Sequence, residues 1–239
     1  MAVYTDLPDL HIDFLNPARA AFDNVGASTD GGRNGLGEGI TFETTGGGIV
    51  TATYEECKII QPEQYEYINY LGARLNGSFR FINAQIITDF YGPIQKVNGL
   101  PGTYVTGITH SDGATFSDGS GYSQATTYGE LLSSAAMNAG VISIQMFGAS
   151  RPLRWSDWFS IYHTTKGWRA YRYWEIQDQT DDTYKIAIQP PLREAVAAGT
   201  RLEFARPRCA MKLTSGSTIP SIVEAFHVTR STIQLTEAF

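Results

Sequence analysis

The chain has 239 residues, 42% hydrophobic, 12% aromatic and only 18% charged, with 24 glycines and a formal net charge of −6. Aromatic-rich, glycine-rich and charge-poor is the composition of a β protein with many turns, and it excludes a coiled coil or a disordered chain. The acidic surplus argues against nucleic acid as the main ligand, because phosphate contacts need clustered Lys and Arg.

The charge is unevenly spread. Residues 1–120 hold 6 basic and 14 acidic side chains, so −8, and residues 121–239 hold 12 and 10, so +2. Such asymmetry is either ordinary variation of surface charge or, in a protein that self-assembles, a means of orienting neighbouring subunits. Cys57 and Cys209 are too few for a disulfide framework and suit no metal motif, so both are expected buried and reduced. The N-terminus lacks a signal-peptide pattern, and no apolar stretch reaches the roughly 18 residues of a membrane helix. The expectation is a chain made in the cytosol with no membrane partner.

In chain order, Pro8 and Pro17 break up residues 1–25. Nine glycines fall within residues 26–48, which predicts a long loop or hairpin tips. Gly35-Leu-Gly-Glu-Gly39 imitates a phosphate loop but has no preceding strand and is followed by the strand-like Ile40–Thr45. Ile49–Tyr54 reads as a strand. A helix over about 62–76 follows, opened by Pro62 and stopped by Gly77, with Tyr67, Ile68, Leu71 and Leu75 on its core face. Tyr65 and Tyr70 lie off that stripe, and Gly72 weakens its middle. Phe79–Ile87 reads as the next strand, with a slip in alternation at Phe81-Ile82.

Residues 91–126 are a second loop-rich region and the best candidate for a junction. Thr127–Ala139 reads either as a short helix closed by Gly140 or as a strand and turn. Strands then dominate: 141–147, 158–162, 168–174, 184–188, 201–204, 210–213 and 231–235, several with period-two alternation. Short strands with turns between them predict a barrel or sandwich.

Residues that carry chemistry are sparse. The histidines, at 11, 110, 163 and 227, form no metal-binding set. In His110–Gly121, Asp112 and Asp118 can offer oxygens to a hard cation, but Asp-Gly pairs are also ordinary turn formers. There is no G-x-S-x-G elbow, and no carboxylate pair can be singled out for glycoside cleavage. Trp155, Trp158, Trp168 and Trp174 fall within twenty residues. They form either an exposed aromatic row, suited to sugars or a protein interface, or the core of a strand pair.

Four segments resemble one family. Tyr70–Phe81 is similar to a helix-to-strand segment, A-F-L-x-x-L-R-G, in minor tail proteins of long-tailed bacteriophages. Trp155–Ile161 resembles that family's G-D-x-F-x-I. Pro190–Thr200 and Pro207–Leu213 resemble its P-P-L-R turn and the strand that follows. The resemblance covers residues 48–239 and is best at 185–213. Gly72 stands where the family has Leu, Asn76 where it has Arg, Ser156 where it has Gly and Lys212 where it has Arg. Without the family, Pro190 and Pro191 should end a strand, Leu192 anchor the turn and Gly199 supply a positive φ. Arg193 can pair with an acid on this subunit or on a neighbour, or stand as a solvated surface arginine.

The expected fold is mostly β: two β-barrel or β-sandwich subdomains with one or two short helices. Residues 1–95 would be the N-terminal, ring-forming part and residues 96–239 the C-terminal part, its last strands returning to the first. The resemblance implies a structural tail-tip component like the distal tail proteins, in the virion tail after synthesis in the bacterial host cytoplasm. Its partners would be further copies in a ring, a hexamer ahead of a trimer, together with the tail tube protein and the hub or baseplate protein. It implies no enzyme activity, no catalytic residues, no cofactor and no metal. Arg193, Trp158 and Trp168 are the candidate interface residues. The Trp cluster leaves a carbohydrate-binding module open as an alternative, and a tail-associated hydrolase is another.

Overall fold

A computed structural model describes residues 4–44, 46–87, 96–97, 100–101, 105–124, 126–220 and 229–239. The order begins α1 (Ile12–Leu15), β1 (Pro17–Val25), β2 (Ser28–Arg33), β3 (Gly39–Glu43), β4 (Ile49–Ile59), α2 (Pro62–Leu75) and β5 (Ile82–Gln85). Two small antiparallel pairs follow: β6 (Lys96–Val97) with β7 (Leu100–Pro101), and β8 (Val105–Ile108) with β9 (Tyr122–Gln124). Next come β10 (Tyr128–Leu131), β11 (Val141–Phe147), β12 (Trp158–His163), β13 (Gly167–Thr180), β14 (Thr183–Gln189) and β15 (Arg201–Glu203). The last strands are β16 (Arg208–Leu213) and β17 (Thr229–Glu237).

The chain is mostly β, built on two main sheets. Strands β10-β11-β14-β13-β12-β15 close into an antiparallel barrel, with β15 pairing back to β10. Strands β1-β4-β17-β16-β5 form a five-stranded antiparallel sheet. Its two central strands after β4 thus come from the end of the described chain. Closure leaves the barrel no open edge, and in the sheet a parallel bridge from Asp9 to Asn83 covers part of β5.

Period-two sequence makes the barrel. In β11, Ile142, Ile144 and Met146 alternate inward, and Phe159 stacks on Tyr171 and Phe204 with ring centroids 5.7 and 5.3 Å apart. Strand β12 is buried on both sides, because its other face presents Trp158 to the sheet's core, where Ala170 of β13 joins it. That core is completed by Tyr54 and by Ile68, Leu71 and Leu75 of α2.

Helix α2 starts as its sequence predicts. Pro62 occupies the first turn, and Gln64 Oε1 accepts hydrogen bonds from the backbone N–H groups of Ile60 and Gln61 at 2.8 and 3.1 Å. Gly72 has a packing reason: a Cβ there would lie 3.0 Å from the Ile219 carbonyl oxygen. Gly77, at φ 78°, sits in the 3-10 turn that follows the helix.

The strand expected over 79–87 is shorter, Ile82–Gln85. Gly77 and Ser78 both hold positive φ and Phe79 remains near helical geometry, so extension begins only after the turn. For Thr127–Ala139 the strand-and-turn alternative is the one present, as β10 and its following bends. The glycine-rich 26–48 segment is the β2–β3 ribbon, and Gly35–Gly39 is its hairpin tip, with no helix behind it. The expected junction at 91–126 lies partly outside the described residues.

Candidate functional site

The structure separates the four tryptophans. Trp158 is 8% exposed and packs in the sheet core. Trp168 is half-buried, edge-on to Tyr162 at 5.4 Å. Trp155 and Trp174, which the sequence placed in the aromatic cluster but not among the candidate interface residues, are 88% and 59% exposed. Trp174 owes its position to a bulge in β13: Tyr173 pairs with Ile188 and Glu175 with Ala187, so Trp174 is left without a cross-strand partner.

Trp155 and Trp174 flank a hollow of about 410 Å³ between the barrel and the end of β1. Asp23 and Asn24 contribute from β1, and Arg172 and Gln189 from the barrel. An adjoining hollow of about 380 Å³ shares Ser156 and Arg172 with the first and continues to Phe22, Asp157 and Trp158. Arg172 Nε donates to Ser156 Oγ at 2.8 Å, which aims the guanidinium along this groove. Its centre stands 5.8 Å from the Trp158 ring.

Asp157 accepts a 2.8 Å hydrogen bond from the Trp158 backbone N–H. Burial pushes its carboxyl up to about 6, although that hydrogen bond and the nearby Arg151 and Arg172 oppose the shift. An acid whose pKa is raised on folding binds more protons in the folded state, so it costs stability once pH rises through the window between about 4 and 6. Asp157→Asn keeps the acceptor and removes the charge. It should be more stable than the parent above pH 6 by about 3 kcal/mol, the two converging in acid. Denaturant titrations across that pH range check this, and an equal offset at every pH would refute it.

Arg193 lies in the turn after β14, and its guanidinium is engaged within its own chain. Its Nε and Nη2 donate to the two carboxylate oxygens of Glu237 at 3.1 and 2.9 Å. Nη1 and Nη2 also reach the carbonyls of Gly46 and Gly48. The rest of the turn follows the sequence reading: Leu192 is fully buried and Gly199 has φ 77°. Glu237, on β17, is itself fully buried and takes a second arginine, Arg169 of β13, at 3.3 Å. Arg169 lies between the rings of Tyr4 and Phe239, at 5.1 and 5.6 Å, and also donates to the Ala238 carbonyl.

Tyr171 extends this cluster into the barrel. Its hydroxyl accepts from the Arg193 N–H at 3.1 Å and lies 2.6 Å from His163 Nε2. Desolvation holds the His163 imidazole down to about 4, so this ring is neutral at physiological pH. The arrangement joins barrel to sheet and leaves no reacting group open to a substrate. Glu237 had a readable signal. It continues the inward alternation of Ile233 and Leu235, and an inward acid needs a cationic partner.

The remaining candidates resolve into structure. Asp112 and Asp118 cap their own turns: Asp112 accepts from the Ala114 N–H at 3.0 Å, and Asp118 from the Ser120 N–H and hydroxyl at 2.9 and 2.6 Å. Among the described residues no group of three His, Cys, Asp or Glu is placed to hold a metal ion. Cys57 and Cys209 are buried and unpaired, and burial raises both thiols, to about 11 and about 12. A hollow of about 760 Å³ lies between α1 and α2 and is lined by His11, Phe14, Tyr67, Tyr70 and Arg208 among others. There Tyr67 stacks near Tyr70 and Arg208 pairs with Asp9 at 2.8 Å. His227 lies outside the described residues. No protein-family model matches the chain, and no curated protein matches it.

Proposed function

We propose that this chain is a structural subunit of a phage or phage-like tail tip, assembling into a ring that joins the tail tube to the hub or baseplate. The sequence segments at 70–81, 155–161, 190–200 and 207–213 suggest the family. The physical observation that carries an assembling role is the β2–β3 ribbon. Every residue of both strands is exposed, including Ile40 and Phe42, and Leu36 at the tip is 85% exposed. A two-stranded ribbon is at best marginally stable alone in water, so one with no buried side chain needs a surface to lie on. The surface we assign to it is the next copy of the chain, a head-to-tail contact of the kind that closes rings. The −8 and +2 halves favour an arrangement in which unlike parts of neighbouring copies meet.

The test is the size of the purified chain by multi-angle light scattering, with negative-stain electron microscopy. Closed rings are expected, hexameric before trimeric. Ala27 and Thr44 are already hydrogen-bonded at the ribbon's base, at 2.8 Å, so Asn-Gly in place of residues 28–43 should leave the sheet intact. That variant should remain folded and monomeric. A wild-type chain that stays monomeric at high concentration, or a variant that still forms rings, would overturn the reading.

A further inference from the structure

The Trp155–Trp174 groove has the chemistry of a saccharide site. Its two indoles face solvent, and neither fills a core. The polar groups that line the same hollow are planar and bidentate: the Arg172 guanidinium donates, the Asp23 carboxylate accepts and the Gln189 amide does both. A pyranose ring offers the complement. Its axial C–H groups carry slight positive charge and suit the negative face of an indole, while hydroxyls around its rim need donors and acceptors in one plane.

Three further observations fit this occupant. The hollow of about 410 Å³ falls within the range of small-ligand sites. The second hollow, joined to it at Ser156 and Arg172, gives room for a following ring against Phe22 and Trp158. Arg172 donates from Nε to Ser156 Oγ, and among the described residues its terminal amino groups make no hydrogen bond, which leaves them for a ligand. Interface cores favour Trp and Arg but are depleted of Asp, so Asp23 in the lining is the residue that speaks for a saccharide over a protein partner. Asp23 and Asp157 outnumber Arg172, which disfavours an anionic sugar.

We propose that the groove between Trp155 and Trp174 binds a neutral oligosaccharide, one pyranose stacking on an exposed indole with its hydroxyls held by Arg172, Asp23 and Gln189. The inference does not depend on the assembly role: a monomer would carry the same groove.

The experiment uses the full chain on an array of neutral and anionic glycans. Tryptophan-fluorescence titrations with cello-, malto- and chito-oligosaccharides accompany it. At least one neutral oligosaccharide should be retained. Trp155→Ala and Trp174→Ala should each weaken its binding by about tenfold or more. Arg172→Gln should weaken it too, and Tyr162→Ala, an exposed aromatic outside the groove, should not. Both indoles are exposed, so unchanged melting temperatures are expected and separate lost binding from lost folding. Retention of no neutral glycan, retention of anionic glycans only, or binding indifferent to both Trp substitutions would overturn the proposal. Loss of rings in Trp155→Ala or Trp174→Ala without any glycan binding would assign the groove to a protein partner instead.

Discussion

Glu237→Gln is expected to destabilise the protein by about 3–5 kcal/mol, the cost of breaking a buried ion pair from one side. The carboxylate is fully buried and serves two arginines at 2.9–3.3 Å. It also accepts from the Val50 backbone N–H at 3.3 Å. Gln keeps the shape and some of these bonds but leaves the fully buried Arg169 with no counter-charge. Arg193, whose side chain is 11% exposed, can recover part of its solvation; Arg169 at 0% cannot. Arg169 is already under-satisfied, since its Nη2 has no hydrogen-bond partner. Hence adding Arg169→Met to Glu237→Gln should restore much of the loss, because the uncompensated charge is then gone. Guanidinium unfolding of the parent, the single variant and the double variant measures both steps. A single-variant loss under about 1 kcal/mol, or a double variant worse than the single, would contradict the assignment.

The position of this cluster explains the size of the effect. Arg169 and Arg193 belong to the barrel and its turn, while Glu237 belongs to the sheet. Between the two bodies the other contacts include the apolar packing of Trp158 and Ala170 and a 3.0 Å hydrogen bond from the Arg208 N–H to Ser160 Oγ. Apolar packing is not directional, whereas a carboxylate shared by two guanidinium groups fixes one mutual orientation. The ring proposed above would need that orientation fixed, since small errors in it would add up around the ring.

Local structure was legible in the sequence where one rule acts alone. Strands β11 and β14 follow from alternation. The helix follows from Pro62, its stripe and Gly77. The Pro190–Gly199 turn follows from the conformations open to proline and glycine. Legibility ended where the answer depends on distant partners. Phe79–Phe81 look like strand, yet two positive-φ residues before them hold the chain in a turn. The tryptophans show the limit most clearly. Trp158 and Trp174 both sit in strands of similar composition, but one faces a second core and the other stands on a bulge, and neither neighbour can be read from local spacing. The groove therefore rests on Trp155 and Trp174, and the earlier candidates Trp158 and Trp168 are buried and half-buried. For Arg193 the sequence left an acid on its own chain, an acid on a neighbour and solvent all open, and only the placement of β17 pairs it with Glu237.

The strand order sets the second large effect. Residues 1–95 supply β1, β4, β5 and both helices, but β4 and β5 do not touch: β17 and β16 stand between them. A fragment of residues 1–95 would have to leave Val50, Tyr54, Ile59 and the inner face of α2 without the strands that cover them. It is expected to lack any cooperative unfolding transition. The barrel differs, since all six of its strands lie within residues 128–203 and close on one another. A fragment of residues 126–206 should keep the circular dichroism of a β protein and unfold cooperatively, below the stability of the whole chain. Removing residues 229–239 from the full chain should then melt the sheet and spare the barrel. That leaves dispersed amide resonances from 128–203 and loses those from β4. Folding of the 1–95 fragment alone would refute the argument, as would a truncated chain with both cores intact. The physical reason lies in pairing range. Tyr54 opposite Ile233 joins distant parts of the chain, so the sheet can be completed only after the barrel-bearing segment between them has been made.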